Sequence, residues 1–198
     1  MRALVSGLIA VCVATVAGLL LGFFGGLDPL RAQAALGLGA LAGAAAWRSL
    51  ADLPKGEPVR GWAAWSAVIV FGLFTFRAFC WLISTQAGEI SFLSPNNLGD
   101  LSLHLTYIRW LAHGVPFWPA NPIYASAPLH YPFGVDLWNA LLLLAGADLQ
   151  RGLVWTGLLG AIAAAVALWR WGGAFTLAGF LFNGGLAGFA FLATLRFA

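Results

Sequence analysis

The chain has 198 residues, of which 61% are hydrophobic and only 9% are charged. A mean hydropathy of +0.87, with 10 tryptophans and 15 phenylalanines, excludes an ordinary soluble globular domain. The net charge of +3 is small and scattered along the chain, so no nucleic-acid partner is expected. These properties predict a multi-pass membrane protein that lies in the lipid bilayer.

Six apolar runs are predicted to form transmembrane helices, and most of them approach the roughly 20 residues that cross a ~30 Å hydrocarbon core. They are Leu4–Phe24, Ala32–Trp47, Trp62–Ile83, Val135–Ala147, Gly152–Trp169 and Gly173–Leu195. The predicted fold class is all-α, a polytopic transmembrane helix bundle in one domain over residues 1–198. Because no polar tail follows the sixth span, the chain is expected to be the N-terminal part of a longer protein.

The distribution of basic residues predicts the orientation of the bundle. With the N-terminus in the cytoplasm, six basic residues lie inside and three lie outside, which follows the positive-inside rule. The inner group is Arg2, Arg48, Lys55, Arg60, Arg151 and Arg196, and the outer group is Arg31, Arg109 and Arg170. The expected location is the cell (inner) membrane, with residues 84–134 as an extracytoplasmic loop.

The outer loop is predicted to begin with a juxtamembrane helix over Asp100–His113, which ends at the Gly114–Pro116 helix stop. At helical spacing, one apolar stripe is formed by Leu101, Leu105, Ile108 and Ala112. A wet polar face is formed by Ser102, Thr106, Arg109 and His113. A third stripe of Asp100, His104 and Tyr107 is flanked by apolar residues, so we expect it to face protein or the membrane interface.

Two interpretations of this third stripe remain open. Asp100 is either the N-cap of the helix or a catalytic carboxylate, and the two roles are compatible. His104 and Tyr107 are either interfacial residues with polar tips or substrate-binding groups.

A proline-rich loop follows the helix, over Val115–Asp136. Its five prolines exclude regular helix, and aromatic residues alternate with them. Such a stiff loop either forms the wall of a cavity for a sugar or a lipid headgroup, or caps the bundle. Its candidate binding residues are Tyr124, His130 and Tyr131.

No cofactor is predicted from the sequence, and a divalent metal remains an open alternative that no motif indicates. Spacing alone does not identify the three histidines, His104, His113 and His130, as a zinc site. Phosphate-loop, zinc-protease and nucleophile-elbow motifs are absent from the sequence. Cys12 and Cys80 lie in apolar runs, where a thiol behaves as a small hydrophobic group.

The order of these features resembles the multi-pass GT-C glycosyltransferases. The matching residues are Asp100, His104, Gly114-Val115-Pro116, Asn121-Pro122-Ile123-Tyr124 and Pro128-Leu129-His130-Tyr131-Pro132. Members of that family use a polyprenyl-phosphate sugar as donor and an acidic residue of the first outer loop at the catalytic centre. The resemblance therefore implies a cell-envelope transferase with Asp100 as the catalytic residue.

The resemblance also implies partners and binding residues. The donor is a polyprenyl-phosphate-linked sugar, and the acceptor is a glycan, a lipid or a protein. The expected substrate-binding residues are His104, Tyr107, Arg77, Tyr124, His130 and Tyr131. Two other interpretations remain open: a non-catalytic structural membrane subunit, and a component of a lipid or polysaccharide transporter.

Overall fold

A computed structural model describes residues 1–51, 58–86, 89–93, 98–124 and 126–182. Its helices are α1 (Arg2–Gly22), α2 (Pro29–Ser49), α3 (Gly61–Cys80), α4 (Leu98–Ala112), α5 (Gly134–Leu144) and α6 (Leu149–Leu181). The predicted helical class is confirmed. One exception is a short antiparallel hairpin of β1 (Ile83–Gln86) and β2 (Glu89–Phe92), which the sequence analysis did not predict.

Helices α1 and α2 form an antiparallel pair that packs through small residues. An ideal Cβ atom at Gly39 would lie 2.4 Å from the carbonyl oxygen of Ala10, which shows how closely the two backbones approach. At one end of the pair, Arg2 donates a hydrogen bond of 3.3 Å to the carbonyl oxygen of Arg48. At the other end, α2 begins at Pro29 and is capped by the Asp28 carboxylate. The two helices therefore run side by side over their whole length.

The second long pair consists of α3 and α6. A Cβ atom at Gly157 would lie 2.1 Å from the ring of Phe79, so the end of α3 packs on the early part of α6. A cavity of about 440 Å³ is lined by Met1, Val59 and Trp169, among others, which brings the starts of α1 and α3 together with a late part of α6. Helix α6 thus runs antiparallel to α3.

The remaining elements gather at the other end of these helices, which we call the loop end. It comprises the C-terminal ends of α1 and α3, the N-terminal ends of α2 and α6, the β hairpin, α4, the proline-rich loop and α5. The side chain of Gln150 donates a 2.9 Å hydrogen bond to the carbonyl oxygen of Ile83, which ties α6 to the hairpin. The turn after α1 contacts the end of α4, where a Cβ at Gly26 would lie 2.0 Å from the carbonyl oxygen of Gly114.

Three of the described helices, α1, α3 and α6, are long and apolar enough to cross a membrane. Their exposed faces carry large apolar side chains such as Leu20, Leu73 and Leu159. Helix α2 has 21 residues, the same length as α1, but it is not among the three. The second predicted span therefore forms a helix as long as α1, but α2 is less hydrophobic than α1.

The fourth predicted span is wrong as a membrane crossing. Helix α5 has only 11 residues, which extend about 16 Å, roughly half of the ~30 Å core. Both of its ends lie at the loop end, because Phe133 stacks on Phe117 there and α6 begins four residues after Ala145. Since α5 does not cross, α6 runs away from the loop end rather than toward it.

This change of direction regroups the basic residues. At the loop end lie Arg31, Arg77, Arg109 and Arg151, and at the opposite end lie Arg2, Arg48, Arg60 and Arg170. The predicted sides of Arg151 and Arg170 are therefore wrong, since the two residues lie at opposite ends from those predicted. Lys55 and Arg196 lie outside the described residues.

The boundary predicted between the fifth and sixth spans coincides with a break inside α6. Gly172 and Gly173 leave the helical conformation there, and Gly173 takes a φ of 60°, which favours glycine. Beyond the break the Thr176 hydroxyl hydrogen-bonds to the carbonyl oxygen of Leu168, so the chain changes direction. The sixth span past Phe182 lies outside the described residues.

The main hydrophobic core lies at the loop end. Its largest fully buried apolar side chains come from α4, the proline-rich loop and α5, and they are Ile108, Leu111, Leu129, Leu137 and Leu141. This core packs on α1, where a Cβ at Gly18 would lie 2.9 Å from the Leu141 side chain. The loop end is therefore a packed unit fixed to the long helices, and it determines where the polar side chains lie.

The close α1–α2 contact predicts the effect of one added methyl group. We expect Gly39→Ala to lower the free energy of unfolding by about 1–3 kcal/mol, because the methyl group meets backbone atoms that cannot move aside. Gly37→Ala is the matched control, since a Cβ at Gly37 meets nothing within 4 Å. Tryptophan fluorescence during denaturation in detergent measures both variants. Equal stability of the two variants would contradict the packing.

Candidate functional site

Helix α4 forms as predicted and presents the predicted faces. Its bounds, Leu98–Ala112, differ from the prediction by two residues at the start and one at the end. The apolar stripe is buried, with Ile108 completely so, and the polar face is exposed. The stripe packs into the core of the loop end, so the sequence pattern sets the rotation of α4 about its axis.

The third stripe of α4 passes from surface to core along the helix. Asp100 is exposed in the first turn, His104 has a side chain 35% exposed, and Tyr107 is buried. The expectation that the whole stripe faces away from solvent is therefore wrong for Asp100. This residue lies at the protein surface near the start of α4, and only the later members of the stripe, His104 and Tyr107, are packed against other elements. The described residues provide no hydrogen bond or ion pair to the Asp100 carboxylate.

His104 is held by an acidic residue on another helix. Its Nδ1 atom lies 2.8 Å from Oδ1 of Asp136, which belongs to the first turn of α5. Asp136 is only 1% exposed, and its second oxygen, Oδ2, has no hydrogen-bond partner among the described residues. Burial raises the pKa of the Asp136 carboxyl above its ordinary value of 3.8, and the hydrogen bond and charge of His104 offset part of that rise.

Asp136 is the candidate site residue that sequence reasoning missed. It lies near the start of the run Val135–Ala147, which is predicted above to be a span. An acidic side chain inside an apolar run marks a functional site by default, because burying it without a partner is costly. That rule would have singled out Asp136, although its partner, 32 residues away, is not visible in the sequence.

Two tyrosines surround the pair. The ring of Tyr131 lies edge-on to His104 with 5.9 Å between centroids, and 5.1 Å from the ring of Tyr107. Burial, together with the nearby Tyr131 and Asp136, raises the pKa of Tyr107 above 10.0, so its phenol stays protonated. We refer to His104, Asp136, Tyr107 and Tyr131 as the His104 cluster.

A second set of hydrogen bonds holds α5 against α6. Trp138 donates a hydrogen bond of 3.2 Å from Nε1 to the Thr156 hydroxyl, which in turn donates one of 3.2 Å to Oδ1 of Asn139. Asn139 is 2% exposed, and its amide donates to the carbonyl oxygen of Val135. Asp136 therefore lies on a helix that is fixed on two sides.

The proline-rich loop is a rigid cap, one of its two predicted roles. Its two arms pair as a short bridge between Ala120 and Pro128, and Trp118 donates a 2.8 Å hydrogen bond to the carbonyl oxygen of Leu129. Phe117, Leu129 and Phe133 are buried in the core beneath it. The cap holds the Tyr131 ring against His104.

The loop also forms one wall of an apolar groove. The groove has a volume of about 230 Å³ and lies between α1 and the segment 131–134. Its lining includes Val16 and Leu19 of α1, Trp118, and Tyr131. Tyr131 belongs to both the groove and the His104 cluster, since it lines the groove and its ring also lies edge-on to His104.

The other predicted site residues lie apart from the cluster. The Arg77 guanidinium lies 5.4 Å from the ring centroid of Trp81, at the end of α3. Tyr124 is 71% exposed at the tip of the loop, in a turn that Asn121 holds by accepting backbone hydrogen bonds. His130 is exposed, although its neighbour Tyr131 belongs to the cluster. Among the described residues, no group of three or more His, Cys, Asp and Glu side chains could hold a metal ion.

The raised pKa of Asp136 predicts a pH-dependent difference in stability. Its folded-state pKa exceeds the unfolded value, so its contribution is fully present below about pH 3.8 and is lost as the pH rises through the folded-state value. Asp136→Asn carries no such loss. We therefore expect the variant to gain thermal stability relative to the wild type as the pH is raised from 4 to 8. Melting curves in detergent across this range test it, and a constant difference would contradict it.

Comparison with family models, with curated proteins and with solved structures gave no match for this chain.

Proposed function

We propose that the protein is a membrane-embedded glycosyltransferase that moves a sugar from a polyprenyl-phosphate donor to an extracytoplasmic acceptor. The loop end faces the extracytoplasmic side of the cell membrane in this proposal, and the three long apolar helices anchor it. The acceptor is a glycan, a lipid or a protein hydroxyl. The proposal combines the resemblance of the loop motifs with the chemistry of the groups gathered at the loop end.

The observation that carries the proposal is an exposed carboxylate one helical turn from an oriented imidazole. Asp100 and His104 are four residues apart on α4, about 6 Å along the helix axis. Asp100 is accessible to a substrate hydroxyl, and His104 is held from behind by Asp136. Sugar transfer from a lipid phosphate uses a general base for the acceptor and a group that stabilises the leaving phosphate, and Asp100 and His104 supply these two kinds of group.

The proposed reaction is a direct displacement at the anomeric carbon. The acceptor oxygen forms a bond to this carbon while the bond from the carbon to the donor phosphate oxygen breaks. Asp100 takes the proton of the acceptor hydroxyl as the oxocarbenium-like transition state develops. The electron pair of the broken bond stays on the phosphate, which leaves as polyprenyl monophosphate. His104 contacts this phosphate as its negative charge increases.

The apolar groove supports the choice of a lipid donor. Its lining includes Val16 and Leu19 of α1 and Tyr131 of the loop. An isoprenoid chain lying there keeps its apolar surface out of water, at about 25 cal/mol per Å² buried. Its phosphate then reaches the level of His104, since Tyr131 contacts both the groove and the imidazole.

The orientation can be tested by labelling single cysteines in intact cells, after Cys12 and Cys80 are replaced by alanine. We expect a cysteine at Ile123, which is 60% exposed at the loop end, to react with an impermeant thiol reagent. A cysteine at Ala51, exposed at the opposite end, is the matched control and should react only after the membrane is opened. The reverse pattern would place the loop end in the cytoplasm and contradict the proposed function.

The catalytic role of Asp100 predicts a large loss of activity in Asp100→Asn. Asparagine cannot accept the proton, so the transfer rate should fall about 10²–10⁴-fold. The assay uses proteoliposomes with polyprenyl-phosphate hexoses and pentoses and an extract of envelope glycolipids as acceptor. Released polyprenyl monophosphate is measured, because every donor of this class yields it.

Asp148→Asn is the matched control for this experiment. Asp148 is also exposed at the loop end, but it caps α6, and asparagine caps a helix about equally well. We expect it to retain full activity. Full activity in Asp100→Asn would remove Asp100 as the base, and no release by the wild type from any donor would refute the proposed transfer.

A further inference from the structure

The buried carboxylate of Asp136 does not touch the surface, yet it faces the imidazole that does. We propose that Asp136 is a positioning residue that holds His104 with its Nε2 atom turned outward to bind the donor phosphate. This inference rests on the proposed function and deepens it, because it assigns the group that holds the phosphate and the residue that orients that group.

The first step of the argument is the direction of the hydrogen bond. When the Asp136 carboxyl is ionised it can only accept, so the proton between Nδ1 of His104 and Oδ1 of Asp136 then belongs to the imidazole. In the neutral ring the proton is then on Nδ1, and Nε2 carries the lone pair. When the ring takes a second proton, the new N–H bond is at Nε2.

The second step is the surroundings of Nε2. The His104 side chain is 35% exposed, and the described part of the chain offers Nε2 no hydrogen-bond partner. The edge contact with Tyr131 and the bond to Asp136 fix the plane of the ring. Nε2 is therefore a fixed polar atom that is open to a ligand, one turn from Asp100.

The third step is the charge behind the ring. Asp136 is 1% exposed, and its negative charge acts on the imidazole in a region that water does not screen. A phosphate bound at Nε2 places a second negative charge on the other side of the ring, so the doubly protonated imidazolium lies between two anions. Such charge-assisted hydrogen bonds are roughly twice as strong as neutral ones.

The final step is the fit of the ligand class. A phosphate held at Nε2 lies near Tyr131, which also lines the apolar groove, so a lipid carrying a terminal phosphate satisfies both surfaces. A free phosphate would use Nε2 alone and a lipid alcohol would use the groove alone. The chemistry therefore favours a lipid monophosphate ester over either fragment.

The imidazole tautomer gives a direct test that does not depend on activity. The chain has three histidines, so replacing His113 and His130 by glutamine leaves His104 as the single histidine signal. In ¹⁵N spectra above neutral pH we expect Nδ1 to carry the proton, and Asp136→Asn to shift the ring toward a mixture of tautomers. A proton on Nε2 in the parent protein would overturn the inference.

Binding of polyprenyl monophosphate in nanodiscs of phosphatidylethanolamine and phosphatidylglycerol provides the second test. We expect Asp136→Asn to weaken binding about 10- to 100-fold, which corresponds to the loss of a hydrogen bond to a charged group. His104→Asn is the second variant, because its amide still donates to Asp136 but lacks the Nε2 atom. It should weaken binding to a similar extent.

Two ligand controls separate the sources of affinity. Polyprenol, which lacks the phosphate, should bind the wild type and both variants equally, and inorganic phosphate should bind all of them weakly. In the transfer assay, Asp136→Asn should raise KM for the donor more than it lowers kcat, whereas Asp100→Asn should lower kcat. Unchanged binding of polyprenyl monophosphate by both variants overturns this inference alone. No binding of polyprenyl monophosphate by the wild type overturns it together with the proposed function.

Discussion

The arrangement of the loop end depends on how the charge of one buried carboxylate is satisfied. An ionised carboxylate out of contact with water costs several kcal/mol unless a hydrogen-bonding partner compensates it. Asp136 finds that partner in His104, on a helix that is 32 residues earlier in the chain. The hydrogen bond therefore fixes α4 and α5 in one register, and the apolar contacts of Ile108 and Leu137 close around it.

Glycines of α1 and of the turn after it allow the loop end to pack closely on the long helices. Gly18 and Gly22 of α1 leave room for the side chains of Leu141 and Phe117, and Gly26 meets the backbone at Gly114. Each of these positions would clash with a Cβ atom. The cap thus packs on α1 as a rigid body, which is why a polar cluster can be held in place at the end of apolar helices.

The molecule consequently divides its surface between two kinds of chemistry. The faces of α1, α3 and α6 are apolar and exposed, as expected of helices that contact lipid. The loop end carries Asp100 and His104 about one turn apart, and an apolar groove between α1 and the segment 131–134 shares Tyr131 with the His104 cluster. A substrate with a long apolar part and a charged head matches this division, and both proposals depend on that match.

The sequence by itself determined the helical class and the faces of α4, because helical periodicity is a local property. It placed His104, Tyr107 and Tyr131 among the candidates, and the structure brings these three together. Only the tertiary structure decided that Val135–Ala147 turns back at the loop end, since an apolar run of about 10–14 residues fits a buried helix as well as a short span. The same packing buried Asp136 beside His104 and left Asp100 exposed, because the partner of a buried charge is chosen by contacts between distant segments, which no local pattern records.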